Sequence, residues 1–414
     1  MRFLRTISTQ RLLAIVAGVV IAAAGGTAIA VAASGSGRVP PRESLATALH
    51  QAATAPQVTG ISARIKFTNK LIGSSNLQGT DPILSGASGR LWMSNDGRFH
   101  LELQGDNGDA QIVLNNGNFS IYDPMSNTIY KGSLPSQGSG NGAKAAKSGT
   151  DKIPTVAQIQ TQINQLLKDV NLVGPLPRNV AGQPAYKIKI SPRHDGGLLG
   201  NIQLAWDAAH GVPLGIAIYA QGNPAPVLEL KATDISYGPV STSDLTINGH
   251  PGAKVVQVSS TADHGAADKS AKHGAKGRHA HAQVTGPAAV QAHLPFSLAA
   301  PDTLVGLKRQ SVQLLDWGGS PAALVTYGQG LGGIAVIQQS ASGQPSSSTS
   351  QNQSQSGGDH QGLSLPTVTI NGNSGQELAT ALGTVIRFSN GKVEYTVLGS
   401  VPAAAAEAAA RALP

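Results

Sequence analysis

Residues 109–132 read DAQIVLNNGNFSIYDPMSNTIYKG. Ala110–Asn115 and Asn118–Tyr122 alternate apolar and polar residues on either side of Asn116-Gly117. That dipeptide is favoured in two-residue hairpins because both central positions take positive φ. Asp123-Pro124 then stops the second strand, and Asn127–Lys131 supplies a third. So much turn chemistry in so few residues requires an antiparallel, tightly meandering sheet. No nucleophile, metal ligand or phosphate cradle stands in the stretch.

The same alternation extends outward. In Gly60–Asn69, Ile61, Ala63, Ile65 and Phe67 face one way and Ser62, Arg64 and Lys66 the other. Arg90–Ser94 and Arg98–Gln104 flank Asn95-Asp96-Gly97, a second hairpin signal. Strands resume at Ala185–Ser191, Asn201–Asp207, Pro213–Ala220 and Val227–Tyr237. Tyr186/Ile188/Ile190, Ile202/Leu204/Trp206 and Leu214/Ile216/Ile218 each mark one apolar face. Two segments read as helices. Pro41–Thr54 places Leu45, Leu49 and Ala52 together, and Pro154–Val170 carries a stripe of Val156, Ile159, Ile163, Leu166, Leu167 and Val170.

A chain of 414 residues can hold two domains with real cores. Fifty Gly, 24 Pro and 4% aromatics suit short strands, turns and linkers, and the absence of Cys excludes disulfides, thiol nucleophiles and zinc–thiolate sites. The net charge of +8 is badly distributed for nucleic acid. Residues 1–33 hold Arg2, Arg5 and Arg11, residues 254–282 hold five Lys/Arg against two Asp, and the rest is nearly neutral with no basic stripe. MRFLRTISTQR followed by the uncharged Leu12–Ala33 predicts export, because that run is long enough to span a bilayer and its positive flank comes first. A retained single-pass anchor is the preferred reading. Ala28-Ile29-Ala30 and Val31-Ala32-Ala33 leave signal-peptide cleavage open.

Residues 34–40 read as a linker, and Ser133–Thr150 as another. Residues 259–292 (Ser, Ala, Lys, His) read as disordered, and the polar run 340–362 as a disordered insertion. A second, smaller α+β module occupies 293–414. Its strands are expected at Ser311–Asp316, Ala322–Tyr327, Gly333–Gln338 and Thr367–Asn371, with a short helix near Gly375–Leu382. A hairpin Thr384–Leu398 follows around Asn390-Gly391, and a terminal helix opens at Ser400 with Pro402, supported by a Glu407–Arg411 pair.

Gly328-Gln329-Gly330-Leu331-Gly332-Gly333 fits G-x-G-x-x-G, but a dinucleotide needs a helix next and IAVIQQ reads as a strand, so a hairpin loop is expected. His264, His273, His279 and His281, with Asp263 and Asp268, suit only weak Ni²⁺, Cu²⁺ or Zn²⁺ contact, since a linker gives no fixed support. The run gains positive charge as pH falls, which suits anionic polymers or headgroups. Asp96, Asp106, Asp109, Asp123 and Asp207 all sit in turn contexts, and no G-x-S-x-G or H-E-x-x-H occurs. The residues thus predict no enzyme, no metal site and no cofactor.

What remains is the apolar sheet face. It is either ordinary core beneath the helices or the wall of a greasy cavity, and periodicity does not separate the two. Gly89-Arg90-Leu91-Trp92-Met93 with Phe99, Ile112–Gly117, Ile121-Tyr122-Asp123-Pro124, Trp206-Asp207 with Val212-Pro213-Leu214, Leu245-Thr246-Ile247 and Pro251–Val255 follow one another along the chain. In that order they resemble the LolA-type superfamily of lipoprotein carriers, which includes RseB-like sensors. The resemblance covers about 41–258. It implies an α+β fold: a curved antiparallel sheet, an unclosed half-barrel, with a helical lid over an apolar concave side that holds acyl chains of lipids or lipoproteins. The cavity candidates are then Ile65, Phe67, Leu91, Met93, Phe99, Leu101, Leu103, Ile112, Leu114, Phe119 and Ile121. From the second half come Ile159, Ile163, Ile188, Ile190, Ile202, Leu204, Trp206, Leu214, Ile216 and Ile218. Asn95-Asp96 replaces the family's Arg-Pro latch, and an anchor departs from a free carrier. The implied role is lipoprotein sorting or envelope lipid handling. The alternative is a sensor of the RseB kind that binds a membrane protein such as an anti-sigma factor.

Overall fold

The computed structural model describes residues 39–73, 82–106, 108–133, 154–247, 250–258, 284–317, 320–341 and 365–414. The expected membrane segment, the linker Ser133–Thr150 beyond its first residue, the His-rich run and most of the polar insertion lie outside them. Among the described residues no helix is long and apolar enough to cross a membrane.

Helix α1 (Leu45–Thr54) leads into β1 (Gly60–Asn69), then the single turn α2 (Pro82–Ser85). A meander follows: β2 (Ala87–Ser94), β3 (Phe99–Leu103), β4 (Ala110–Asn115), β5 (Asn118–Asp123) and β6 (Thr128–Ser133). After α3 (Val156–Leu166) a second meander runs through β7 (Val170–Val180), β8 (Gln183–Pro192), β9 (Leu199–Asp207), β10 (Pro213–Ala220) and β11 (Leu228–Tyr237), and β12 (Lys254–Val258) closes the unit. Together they form one twelve-stranded sheet in the order β12-β6-β5-β4-β3-β2-β1-β11-β10-β9-β8-β7. Its edges β12 and β7 do not pair with each other, so the sheet is unclosed. Every pairing is antiparallel except β6 with β12, which is parallel because the chain crosses the whole first meander between β11 and β12.

Turn chemistry explains the registers. Asn116 and Gly117 have φ of 48° and 77°, which lets Asn115 pair directly with Asn118. Helix α1 begins at Leu45, four residues later than expected, because the Ser44 hydroxyl accepts from Thr47 N. Helix α3 has a reciprocal cap between Thr155 and Gln158 and ends at Leu166. Val170, read as the end of its stripe, instead starts β7, a strand the sequence reading missed. The strand accommodates Pro175 and Pro177 because β7 lies at the sheet edge, where a missing N–H is tolerated.

The second unit contains α4 (Pro287–Gln291), β13 (Thr303–Leu304), β14 (Leu307–Trp317), β15 (Ser320–Tyr327), β16 (Ile334–Ser340), β17 (Thr367–Ile370), β18 (Asn373–Thr380), β19 (Gly383–Asn390), β20 (Val393–Gly399) and α5 (Ala403–Arg411). Its eight strands run in the order β13-β14-β15-β16-β20-β19-β18-β17, curling into a half-barrel. Their apolar side meets Ala406, Ala409 and Ala410 of α5 and Val290 of α4. The whole is α+β, as expected. The expected helix near Gly375–Leu382 is instead strand β18 to Thr380 and the turn 381–382: Asn371-Gly372 turns β17 onto β18, and pairing on both sides overrides the helical propensity of the segment. Residues 284–292, read as linker, contribute a bridge at Thr285 and the helix that buries Val290. Pro402, not Ser400, stands at the N-cap of α5.

Ser400 helps join the two units. Its carbonyl and hydroxyl both accept from Leu198 N at 3.0 Å, and its hydroxyl donates to Leu382 O. The glycine motif makes a second joint. As expected it is a hairpin loop, between β15 and β16, and Leu331 N donates to Asp195 O at 3.2 Å. Gly330 has φ of 67°, and a Cβ there would meet Asp195 O at 2.6 Å. The glycines therefore serve close backbone approach, not a phosphate. Gly330→Ala should lower stability by about 1–3 kcal/mol through this clash and the left-handed φ; calorimetry would show an earlier or split unfolding transition.

Candidate functional site

The strand registers put every strand candidate on one face. Ile65 and Phe67 sit in the rows of Gly89 and Ala87, and Leu91 and Met93 oppose Leu101 and Phe99. The rows continue to Ile112 and Leu114, then to Ile121 and Phe119. On the other side of β1, Ile216 and Ile218 pair with Leu204 and Ile202, which pair with Ile188 and Ile190, while Trp206 opposes Tyr186. Leu214 shares the parity of Ile216. Helix candidates Ile159 and Ile163 pack down onto this face.

That face is not uniform. Ile159, Ile163, Ile188 and Trp206 are buried with Leu45, Ala46 and Ala48 of α1, and Ile190 and Leu204 pack against them. Ile65, Leu103 and Leu214 are buried in a second cluster, against which Phe67, Leu91, Met93 and Leu101 pack. These candidates are core. Phe99, Ile112, Leu114, Phe119 and Ile121 on β3–β5, and Ile202, Ile216 and Ile218 on β9–β10, are half-buried and join no packed cluster among the described residues. Sequence periodicity gave all of them one rank; the placement of α1, α2 and α3 is what separates them.

The opposite face carries polar residues and the crossover. A 3-10 turn at Thr242–Leu245 lays fully buried Leu245 against this side, and Asp244 O lies 2.7 Å from His100 Nδ1. His100 stacks on Trp92, and His250 stacks on Tyr122 with ring centroids 3.4 Å apart. Beside the crossover lies a cavity of about 530 Å³ lined by Val113, Asn115, Asn116, Asn118, Ser120, Ile129, Lys131, Leu245, Thr246 and Ile247. No sequence signal marked it, since its walls come from distant segments. Leu245-Thr246-Ile247, which resembled a closing strand, is the end of the 3-10 turn and its exit.

The turn aspartates behave as expected. Asp123 accepts from Met125 N and Ser126 Oγ, and Asp96 from Arg98 and Ser94, whose hydrogen bonds hold its carboxyl at about 2. Asp207 is 1% exposed and organises the β9–β10 turn, accepting from Ala209 N, His210 N and Tyr237 Oη at 2.6–2.9 Å. His210 Nδ1 is 3.3 Å from Asp207 Oδ1, a contact that gains charge when the ring is protonated. Burial would raise the Asp207 carboxyl, but His210 and Tyr237 outweigh it and hold it below its ordinary value. Burial, and then Asp207 itself, push the Tyr237 hydroxyl far up. Neither a Ser or Thr hydroxyl nor a second carboxylate joins this group in the contacts above. Among the described residues no cluster of three or more His, Cys, Asp or Glu could hold a metal ion.

No family model and no curated protein matches the sequence. Similar solved structures include the MucA/MucB complex of Pseudomonas aeruginosa, 15% identical, TM-score 0.40, covering 88% of this chain and 96% of that one. MucB in complex with MucA(peri) is 15% identical, TM-score 0.38, over 86% of this chain and 93% of that chain. A LolA superfamily protein from Nitrosomonas europaea is 9% identical, TM-score 0.17, over 46% and 90%.

Two predictions follow from the packing. Leu103→Ala should cost about 2–5 kcal/mol, as a buried Leu does, whereas Ile121→Ala should cost under about 1.5 kcal/mol because the side chain is already half in solvent; urea melts separate them. Asp207 has a depressed folded pKa, so its contribution is present above the unfolded carboxyl value of about 4 and fades as pH falls through the folded value. Melting midpoints should therefore drop more steeply below about pH 4 in the wild type than in Asp207→Asn.

Proposed function

We propose that the chain binds acyl chains of lipids or lipoproteins on the apolar face of its first sheet, outside the cytoplasm, in lipoprotein sorting or envelope lipid handling. The observation that carries this reading is the half-buried strip Phe99, Ile112, Leu114, Phe119 and Ile121, which continues the core face but is not packed into it. Each methylene that such a strip removes from water contributes about 0.8 kcal/mol, so an acyl chain can be held without any polar contact. No cofactor and no catalytic residue is required. The residues offer nothing that fits nucleic acid, and the N-terminal run would tether the binding face near a membrane.

A second reading, a sensor that binds a membrane protein such as an anti-sigma factor, is favoured by one observation. Edge strand β12 exposes Val255, and edge β7 exposes Val173 and Leu176, and a free sheet edge can accept a partner's strand.

Delipidated full-length protein should take up a fluorescent fatty acid, and Ile121→Asp should weaken that uptake by about tenfold or more, since a carboxylate in the strip must be desolvated. The melting midpoint of the variant reports whether it is folded. A wild-type protein that takes up no fatty acid, yet retains a membrane-protein partner after lipid removal, would replace the first reading with the second.

A further inference from the structure

We infer that the β7 edge of the first sheet docks on an anionic phospholipid surface. The inference is independent of the acyl-binding strip on β3–β5, because β7 lies at the other end of the strand order.

The edge exposes apolar side chains on one side. Val173 and Leu176 of β7 are 52% and 37% exposed, and Leu166, at the end of α3 just before the strand, is 44% exposed. Plain alternation would send Val173 and Leu176 to opposite faces. The register irregularity between them brings both to the side away from the core: Val173 opposes Lys189 and Leu176 opposes Lys187. Leu172 opposes Ile190 and Pro177 opposes buried Tyr186, on the face that α1 and α3 cover.

Cations gather around this apolar pair. Residues 166–195 carry five Lys/Arg against two Asp. Lys187 and Lys189 stand one strand behind Val173 and Leu176, about 4.8 Å away. Arg178 shares their side, opposing Ala185. Lys168 is exposed at the corner between α3 and β7. Arg193 is fixed at that corner, its N donating to Asp169 O at 3.0 Å and its guanidinium to Leu167 O at 2.6 Å. Among the described residues none of the five is in an ion pair. Of the two aspartates, Asp195 sits at the joint with the second unit, which leaves Asp169 as the carboxylate at the edge.

Unpaired cations beside exposed aliphatic side chains match a bilayer interface. There lysine stems lie along apolar surface, their ammonium heads reach phosphates, and the aliphatic groups enter the acyl boundary. A hydrophilic polyanion would engage the cations but leave Leu166, Val173 and Leu176 in water. Nucleic acid would find no ring to stack on, since Tyr186, the one Phe, Tyr or Trp of 166–195, faces the core at 1% exposure.

The chain contains no Cys, so one introduced thiol carries the only label. Full-length Val173→Cys, labelled with a nitrobenzoxadiazole dye, is mixed with phosphatidylcholine vesicles or with mixed phosphatidylcholine–phosphatidylglycerol vesicles. Emission should shift to the blue only on the anionic vesicles, and nitroxide-bearing lipid should quench it. Leu176→Cys, as an independent second label, should respond alike, whereas a label at exposed Asn118→Cys should not. Salt at about 1 M, where the Debye length is about 3 Å, should reverse the shift. Adding Lys187→Gln and Lys189→Gln should lower the ratio of docked to undocked protein about thirtyfold, each lysine near an anionic surface being worth about fivefold. The basic N-terminal run is common to all variants, so that loss reads the edge alone. No shift on anionic vesicles overturns the inference, as does a shift that is equal on neutral vesicles or persists in the lysine variant. A shift without lipid also overturns it, and would mark the edge as a contact between protein chains.

Discussion

The first sheet depends on β1 being paired along both edges. Ile61 to Phe67 match Met93 to Ala87 on one side and Tyr237 to Leu230 on the other. Each meander taken alone is a local series of hairpins with an open edge. Only β1, sharing its apolar parity with both, makes them one surface. A one-residue slip would turn Ile61, Ala63, Ile65 and Phe67 to the polar side and divide the apolar face at its centre. The register irregularity at Arg64/Ile65 against β11 shows where the sheet absorbs its curvature while keeping that parity.

From that shared parity follow two faces with different fates. Helices α1 and α3 cover the β7–β9 end of the apolar face, and α2 lies against β1. The strips on β3–β5 and β9–β10 remain half-buried. On the reverse side the crossover supplies the cover, with Leu245 as the buried plug. The parallel β6–β12 pair is the anchor that lets the crossover end there. One sheet thus offers a greasy surface and a polar pocket, separated by the thickness of its backbone.

Much of this was legible because local rules and global fold agree. The pairs around Asn116-Gly117 and Asn95-Asp96-Gly97 fix register through backbone geometry that few other residues allow, and alternation fixes the apolar side. β7 and β18 were not legible: prolines in one and helix formers in the other reflect tertiary pairing, which overrides local preference. The G-x-G-x-x-G match illustrates the converse. Its spacing was real, but the close approach it permits is to Asp195 of the other unit. Periodicity could not divide core from strip, because Leu103 and Ile121 share one parity and differ only in what lies above them.

The long reach of β1 also has a temporal meaning. Its first partner, β2, follows within the same stretch of chain, but β11 is not available until residues 228–237 exist, and β6 waits for 254–258. During synthesis the first meander therefore stands with both flanks bare, and its strands are open to pairing with another copy or with a holding protein. High sequence separation of this kind slows folding relative to a purely local meander. The chain is thus most vulnerable to aggregation just before its crossover arrives.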